Sequence, residues 1–260
     1  MRWSWTAVQL DAGGEVRMLY SKDLVTYEPG STHTLRFNTG VVGPDLAAGS
    51  PEEQGAERTG EFISARIPLF NDGSGNLGSS IVTSGFARLE SGGRVLGEGP
   101  ATDWLSTEVP AASAPYRLTA EASRSAGDTF TSTKVTGVWT FTSARPTTDR
   151  TKRLPLSTVR FAPRLSLRGT APAGSTLTVP LKLSGAAAVA GQVATLKVNV
   201  SYDGGRTWKP LTVTTNPQGA RSVTVKHPAT AKAVSFRVDL KDRGGNTVRE
   251  TIMNAYRLAP

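Results

Sequence analysis

Residues 196–208 read LKVNVSYDGGRTW and decide the fold class of the second half of the chain. From 196 to 202, apolar side chains alternate with polar ones, which is the two-residue period of a strand with one buried face. The segment then reaches Asp203-Gly204-Gly205, where the glycines can supply the positive φ of a tight hairpin turn. This pattern predicts a strand followed by a hairpin, and none of its residues performs chemistry.

The same alternation recurs through the rest of the second half. Residues 177–183 and 234–240 each place every second side chain on an apolar face, and the alanine run at 186–190 predicts a loop. Seven or eight such strands fit into about 110 residues, which is typical of an immunoglobulin-like or fibronectin-like sandwich.

The first half follows the same rules, with turn signals every ten residues or so and no sustained helical period. The pattern predicts strands at residues 15–20, 34–41, 61–69, 81–89, 94–97, 116–122 and 133–142. We expect an all-β protein built from two consecutive antiparallel β-sandwich domains.

A domain boundary is expected near residue 147. Residues 143–155, SARPTTDRTKRLP, are polar and contain two prolines, as linkers often do. The predicted domains are therefore residues 1–146, a β-sandwich, and residues 147–260, an immunoglobulin-like β-sandwich. A long loop within a single domain is the alternative.

Composition excludes several classes of site. The 260 residues contain no cysteine, which removes disulfides and thiolate metal sites, and the net charge is +9. Basic residues are scattered through strand-like segments without an aromatic-rich basic stripe, so we expect no nucleic acid partner. No apolar run approaches the roughly 20 residues of a membrane span, and the N-terminal segment lacks the pattern of a signal peptide.

Ser201, Asp203, Gly205, Thr207 and Trp208 match the pattern S-x-D-x-G-x-T-W at every specified position. The pattern resembles the Asp-box of sialidases and related propellers, which staples a hairpin and lies far from the catalytic site. A propeller repeats its motif in every blade, whereas this chain has one copy. We interpret these residues as a structural hairpin; a glycoside hydrolase is a third hypothesis that rests on this motif alone.

No catalytic constellation is predicted. The two histidines, His33 and His227, are expected at the surface, and neither neighbours a nucleophile motif. Glu52 and Glu53 are adjacent on an extended chain and point apart, so they are not interpreted as a glycosidase pair. We predict no catalytic residue and no cofactor.

Asp72, Ser74 and Asn76 form a weak calcium candidate. Their side-chain oxygens alternate as in a calcium loop, but Leu77 stands where the loop needs glycine and Thr83 where it needs a bidentate glutamate. A turn is the favoured interpretation.

Four tryptophans, Trp3, Trp5, Trp104 and Trp139, raise the alternative of a carbohydrate- or cell-surface-binding module, because exposed aromatic rings stack on sugars. Trp139 sits on an alternating strand and is expected in the core. Trp104 lies between turns and is the best candidate for an exposed, surface-binding aromatic.

A set of colinear stretches resembles one family over nearly the whole chain. The stretches are residues 37–44, 58–72, 116–119, 138–143, 154–163, 200–208 and 242–258. Their order and spacing are similar to the C-terminal region of the large secreted subtilisin-like serine peptidases of actinobacteria of the Streptomyces type. The three catalytic motifs of that family are not present in this chain.

The resemblance implies a non-catalytic accessory region that stabilises a peptidase domain, in cis or in trans, or presents it to substrates or to a surface. It also implies an extracellular location. The partners to be expected are thus the peptidase domain and a polysaccharide or cell surface.

Overall fold

β-Strands make up most of the computed structural model, which describes residues 2–46, 55–125, 129, 131–148 and 150–260. The described residues form twenty strands and one short 3-10 turn, and none of them lies in an α-helix. Among the described strands, every pair but one is antiparallel. The predicted all-β class is confirmed.

Eleven strands precede residue 154. They are β1 (Arg2–Leu10), β2 (Val16–Thr26), β3 (Gly55–Thr59), β4 (Phe62–Arg66), β5 (Leu77–Ser80), β6 (Ser84–Ser91), β7 (Arg94–Gly99), β8 (Leu105–Glu108), β9 (Ala114–Ser123), β10 (Lys134–Ser143) and β11 (Lys152–Arg153). Nine strands follow. They are β12 (Ser157–Phe161), β13 (Thr170–Pro172), β14 (Thr176–Gly185), β15 (Val193–Ser201), β16 (Lys209–Leu211), β17 (Val213–Thr215), β18 (Arg221–Lys226), β19 (Ala233–Asp242) and β20 (Thr247–Ala259).

The second half is an immunoglobulin-like sandwich. One sheet has the order β12-β14-β18-β17 and the other includes β16-β15-β19-β20. Lettered A to G along the chain, these are the sheets ABED and C′CFG of the immunoglobulin fold. The strand order therefore confirms the fold that the alternating pattern predicted.

The core of this sandwich consists of the apolar side chains that the alternation directs inward. Phe161 of one sheet stacks on Phe236 of the other, with ring centroids 4.5 Å apart and an interplanar angle of 5°. Val179, Val223 and Val238 of the same two sheets are also completely buried. Burying a side chain of this size contributes about 1.5–3 kcal/mol, so the strands are stabilised mainly by this face.

The first half packs two further sheets against the strands β10-β9-β6-β7. These sheets have the orders β11-β3-β4-β8 and β1-β2-β5. Ile63, Leu89 and Leu118 point inward from three different strands, and each is 1% exposed. This half is thus also built from antiparallel sheets, whose buried side chains belong to one hydrophobic core.

The predicted strand at residues 34–41 is wrong. Residues 34–41 form no strand, because Asn38 has a positive φ of 54° that interrupts the extended backbone. Val41 is nevertheless buried, as the alternation predicted. The alanine run is a loop that begins with the 3-10 turn Ala186–Ala188.

A single sheet crosses from one half of the chain to the other. Lys134–Thr140 of β10 pair antiparallel with Thr247–Met253 of β20, which joins the strands into the order β16-β15-β19-β20-β10-β9-β6-β7. The pairing of β20 with β10 ends before Asn254, which has a φ of 53°. Beyond it, residues 257–259 pair in parallel with β13 through the same edge of β20.

The chain between the halves is also paired. β11 lies beyond the predicted boundary at residue 147, yet Lys152 and Arg153 pair with β3 of the first half. The boundary stays a prediction, and the structure adds that the segments on either side of it are held together by strand pairing.

Candidate functional site

The contact of β10 with β12 and β20, which we call the seam, centres on Trp139. Its ring is completely buried, as the sequence predicted, and its Nε1 donates a hydrogen bond of 2.8 Å to the Ser157 carbonyl oxygen of β12. The ring covers Gly137, where an added Cβ would lie 2.0 Å from the Trp139 ring. Glycine is therefore required beneath this tryptophan, and the side chain anchors the first half to the second.

Buried polar groups surround the seam. The Asp45 carboxylate forms an ion pair of 2.8 Å with Arg160 and accepts a hydrogen bond of 2.6 Å from the Ser184 hydroxyl. Arg160 also donates to the Gly73 carbonyl oxygen. Because Asp45 and Gly73 lie in loops of the first half and Arg160 and Ser184 lie on β12 and β14, this network joins loops of the first half to strands of the second.

Glu250 is a buried carboxyl group within the same contact. It is 1% exposed on β20, and both of its oxygens face the Val159 backbone N–H at 3.1 and 3.3 Å. Burial raises the pKa of Glu250 well above its usual range, and the nearby Asp45 charge acts in the same direction. Glu250 therefore contacts β12 at the seam, and its buried position favours the neutral, protonated form of the carboxyl group.

The hairpin between β15 and β16 is organised by the residues of the S-x-D-x-G-x-T-W pattern. Asp203 accepts hydrogen bonds from the Thr207 backbone N–H at 2.9 Å and from the Ser201 hydroxyl at 2.8 Å, and Ser201 in turn accepts the Gly205 N–H. The Thr207 hydroxyl also donates to the Asp203 carboxylate at 2.5 Å. That bond first, and then the Thr207 N–H and the Ser201 hydroxyl, hold the pKa of the Asp203 carboxyl well below its usual range. The last strand pair is Val200 with Lys209, so the turn is an eight-residue loop rather than the tight turn predicted.

Two glycines and a tryptophan complete this hairpin. Gly204 and Gly205 have φ values of 70° and 82°, the positive φ expected from the sequence. Trp208 lies next to Gly205, and the Arg237 guanidinium of β19 stacks on its ring at 4.2 Å. The oxygens of this loop are used to hold its own backbone, as in a structural hairpin.

Asp72, Ser74 and Asn76 lie together in a turn. The buried Asp72 carboxylate accepts N–H hydrogen bonds from Ser74 at 3.0 Å and from Asn76 at 2.9 Å, and a third from the Asn76 side chain at 2.8 Å. A calcium ion would need these oxygens as ligands, whereas here N–H donors occupy them. The described residues include no group of three or more His, Cys, Asp or Glu side chains that could hold a metal ion.

The histidines differ from the sequence expectation at one position. His33 is exposed, but His227 is buried between Tyr202 and Tyr256. The Tyr202 hydroxyl donates to the Lys226 carbonyl oxygen at 2.9 Å, and His227 Nδ1 lies 3.2 Å from that hydroxyl. Tyr256 hydroxyl lies 3.4 Å from Nε2, an arrangement that suits a neutral ring protonated at Nδ1. Burial lowers the pKa of His227.

The exposed tryptophans are Trp3 and Trp5 on β1 and Trp104 between β7 and β8. Trp104 is 38% exposed, whereas Trp3 and Trp5 are 46% and 42% exposed. The rings of Trp3 and Trp5 stack with centroids 6.1 Å apart and an interplanar angle of 22°. This pair, rather than Trp104, offers the larger aromatic platform.

Sequence reasoning missed the seam residues Asp45, Arg160 and Glu250. A signal for Glu250 was present, because it stands at an inward position of the alternating pattern, between Val248 and Ile252. The residues Glu52 and Glu53 lie outside the described residues. No described helix is long and apolar enough to cross a membrane.

No family model matches the chain, and no curated protein matches it. Among solved structures, it is similar to a chimeric titin Z1Z2-Z1Z2 tandem with 16% identity and a TM-score of 0.26, over 77% of this chain and 90% of that chain. A titin Ig tandem gives 14% identity and a TM-score of 0.22 over 76% and 87% of the two chains. Salmonella alpha-2-macroglobulin reacted with methylamine gives 10% identity and a TM-score of 0.24, over 100% of this chain and 19% of that chain. TM-scores of this size establish no common fold, so the immunoglobulin-like description stands on the strand order.

Proposed function

We propose that this chain is the non-catalytic accessory region of a secreted subtilisin-like serine peptidase, which it stabilises or presents to substrates or a surface. The observation that carries the proposal is the seam. Pairing of β10 with β20, together with the Trp139 anchor, joins both halves into one sheet. Two sandwiches joined by one sheet hold their outer ends at a fixed distance. Such a rigid unit is suited to stabilising or positioning a peptidase domain in cis or in trans.

The chemistry of the acidic side chains supports a non-catalytic role. Asp45, Asp72, Asp203 and Glu250 accept hydrogen bonds from backbone N–H groups or from neighbouring side chains. His227 is enclosed by two tyrosines. Groups used in this way stabilise local structure, whereas a catalytic base needs a free position facing substrate. The link to a peptidase is supported by the colinear resemblance of the sequence.

Two measurements test the proposal. The coding sequence beside this chain should specify a subtilisin-like peptidase domain, and removal of the present chain should shorten the peptidase's half-life at elevated temperature without changing its rate on a short peptide substrate. The purified 260-residue chain should not cleave casein. Casein cleavage by the purified chain, or an unchanged half-life together with unchanged substrate and surface binding, would contradict the proposal.

A carbohydrate- or cell-surface-binding module is the second candidate, and the stacked pair of Trp3 and Trp5 favours it. A sugar ring could lie on this exposed platform through its apolar face. Glycan-array binding that disappears in the double variant Trp3→Ala/Trp5→Ala, but persists in Trp104→Ala, would support it. An array without any hit would remove it.

A further inference from the structure

The outer face of the sheet carries a shallow groove where the sheet crosses the seam. The groove has a volume of about 550 Å³ and is lined by strands β9, β10, β15, β19 and β20. Its polar lining includes Arg117, Thr140, Lys197, Lys241, Thr247 and Arg249. Both halves therefore contribute to one continuous surface.

The lining is strongly cationic. It contains four basic side chains and one acidic side chain, Asp239, which pairs with Arg249 at 2.6 Å. Arg117 has a carboxylate at 3.8 Å and is 58% exposed. Within the described residues, neither Lys197 nor Lys241 forms an ion pair within 4.0 Å. The groove thus presents two lysines without an ion pair among the described residues, beside two arginines that each have a carboxylate partner.

Strand register places these charges in two adjacent rows across the sheet. One row across the sheet runs Lys197, Asp239, Arg249, Val138, and the next runs Thr195, Lys241, Thr247, Thr140, Arg117. Neighbouring strands lie about 4.8 Å apart, so Lys197 and Arg249 are separated by about 10 Å across the sheet. Asp239 lies between these two cations, and in the other row Lys241 and Arg117 are three strands, or about 14 Å, apart. Cations spread over both rows suit a ligand that carries several negative charges along an extended chain.

Threonine hydroxyls fill the space between the cations. Thr140 and Thr247 are hydrogen-bonded to each other across the seam, and Thr195 lies in the same row. The described residues that line the groove include no aromatic side chain. Single-stranded nucleic acids are usually held by stacking of bases on aromatic rings, so hydroxyls with cations fit a polyhydroxylated anion better.

We propose that this groove binds an extended anionic polysaccharide, with lysine and arginine side chains contacting its carboxylate, sulfate or phosphate groups and threonines contacting its hydroxyls. The proposal depends neither on an associated peptidase nor on the pair of Trp3 and Trp5, which lies on another sheet. It relates the net charge of +9 of the chain to one class of ligand and one binding surface.

Binding of the full chain to polygalacturonate and to dextran sulfate tests this, with neutral dextran and single-stranded polythymidylate as comparison probes. The double variant Lys197→Gln/Lys241→Gln should weaken binding at least tenfold at 50 mM salt. It should also make the slope of log K against log salt less negative by about two, since each cation contact contributes about one. The carboxylate and sulfate probes distinguish which anion is preferred.

A charge-matched control is available on the opposite sheet of the second sandwich. Lys182 of β14 and Lys226 of β18 are exposed there, and Lys182→Gln/Lys226→Gln makes the same change in net charge. The control should stay within twofold of the unmodified chain, and Trp3→Ala/Trp5→Ala should do the same.

The proposal is overturned if neither anionic polysaccharide binds, if neutral dextran binds as well, or if both lysine pairs weaken binding equally. Tighter binding of polythymidylate than of either polysaccharide would assign the groove to nucleic acid instead. Circular dichroism and the melting temperature establish that each variant is folded, and Lys241→Gln alone provides a milder substitution at the same place.

Discussion

Replacing Trp139 with phenylalanine tests whether the two sandwiches unfold as one unit. The substitution keeps an aromatic ring on β10 but removes the Nε1 donor that lies 2.8 Å from the Ser157 carbonyl oxygen. The ring it shortens is completely buried at the seam. Because that ring belongs to the first half and its hydrogen bond ends in the second, the loss should be felt by both.

The magnitude follows from two losses. A buried acceptor left without its donor costs about 1–3 kcal/mol. The smaller ring also leaves a void, which adds about 1 kcal/mol. The free energy of unfolding should therefore fall by about 3 kcal/mol, and at about 2–4 °C per kcal/mol for a chain of this size the melting temperature should fall by about 6–12 °C.

Differential scanning calorimetry of the unmodified chain and of Trp139→Phe measures both the shift and the number of transitions. We expect one transition that moves as a whole. Trp104→Phe is the matched control, since the same replacement at a 38% exposed ring should change stability by less than about 0.5 kcal/mol. Two separate transitions, of which Trp139→Phe moves only one, would refute the reasoning, as would equal shifts in the two variants.

Substitutions at four further positions, with Gly204→Ala as the control for the last, probe single groups. Glu250→Gln should gain stability relative to the unmodified chain as pH rises from 5 to 8. The pKa of Glu250 is raised in the folded chain, so unfolding releases a proton and a higher pH favours unfolding of the unmodified chain. A difference between the two urea midpoints that stays constant from pH 5 to pH 8 would argue against this. For His227, whose pKa is lowered by burial, the unfolded chain takes up a proton first as pH falls below about 6.5, so the unmodified chain should lose stability relative to His227→Gln between pH 7.5 and 5.5. Asp203→Asn should speed hydrogen exchange of the hairpin amides. In the unmodified chain, exchange of these amides should become faster only as pH falls below about 3.8, because the lowered pKa of Asp203 keeps its carboxylate charged above that pH. Gly205→Ala should destabilise the chain more than Gly204→Ala, since both have positive φ but only at Gly205 would the new Cβ meet a methionine side chain, at 2.9 Å; equal melting temperatures would contradict this contact.

The alternating pattern predicted many of the strands and their inward faces, but it failed at residues 34–41, where the backbone is not extended throughout. In the second half it fixed both the class and the core, because one buried face per strand leaves little choice of register. Buried Trp139 followed from the same argument. Local turn chemistry predicted the positive φ of Gly204 and Gly205 in the hairpin.

Which strands become neighbours could not be predicted from local pattern. β10 and β20 are separated by about a hundred residues, and their pairing depends on two edges that present similar backbone groups. The groove on the outer face is a product of that pairing, since Arg117 and Lys197 lie far apart in sequence. The burial of His227 was missed for the same reason, because Tyr202 and Tyr256 enclose it from other strands.

The route of β20 has a practical outcome for anyone who divides this protein into fragments. One side of its residues Thr247–Met253 is covered by β10, so a fragment limited to residues 147–260 would uncover a row of backbone amides and carbonyls seven residues long. An unpaired strand edge of that length forms hydrogen bonds with strands of other chains. Such a piece would self-associate through the cut surface, and its oligomers would be products of the truncation rather than of the native protein.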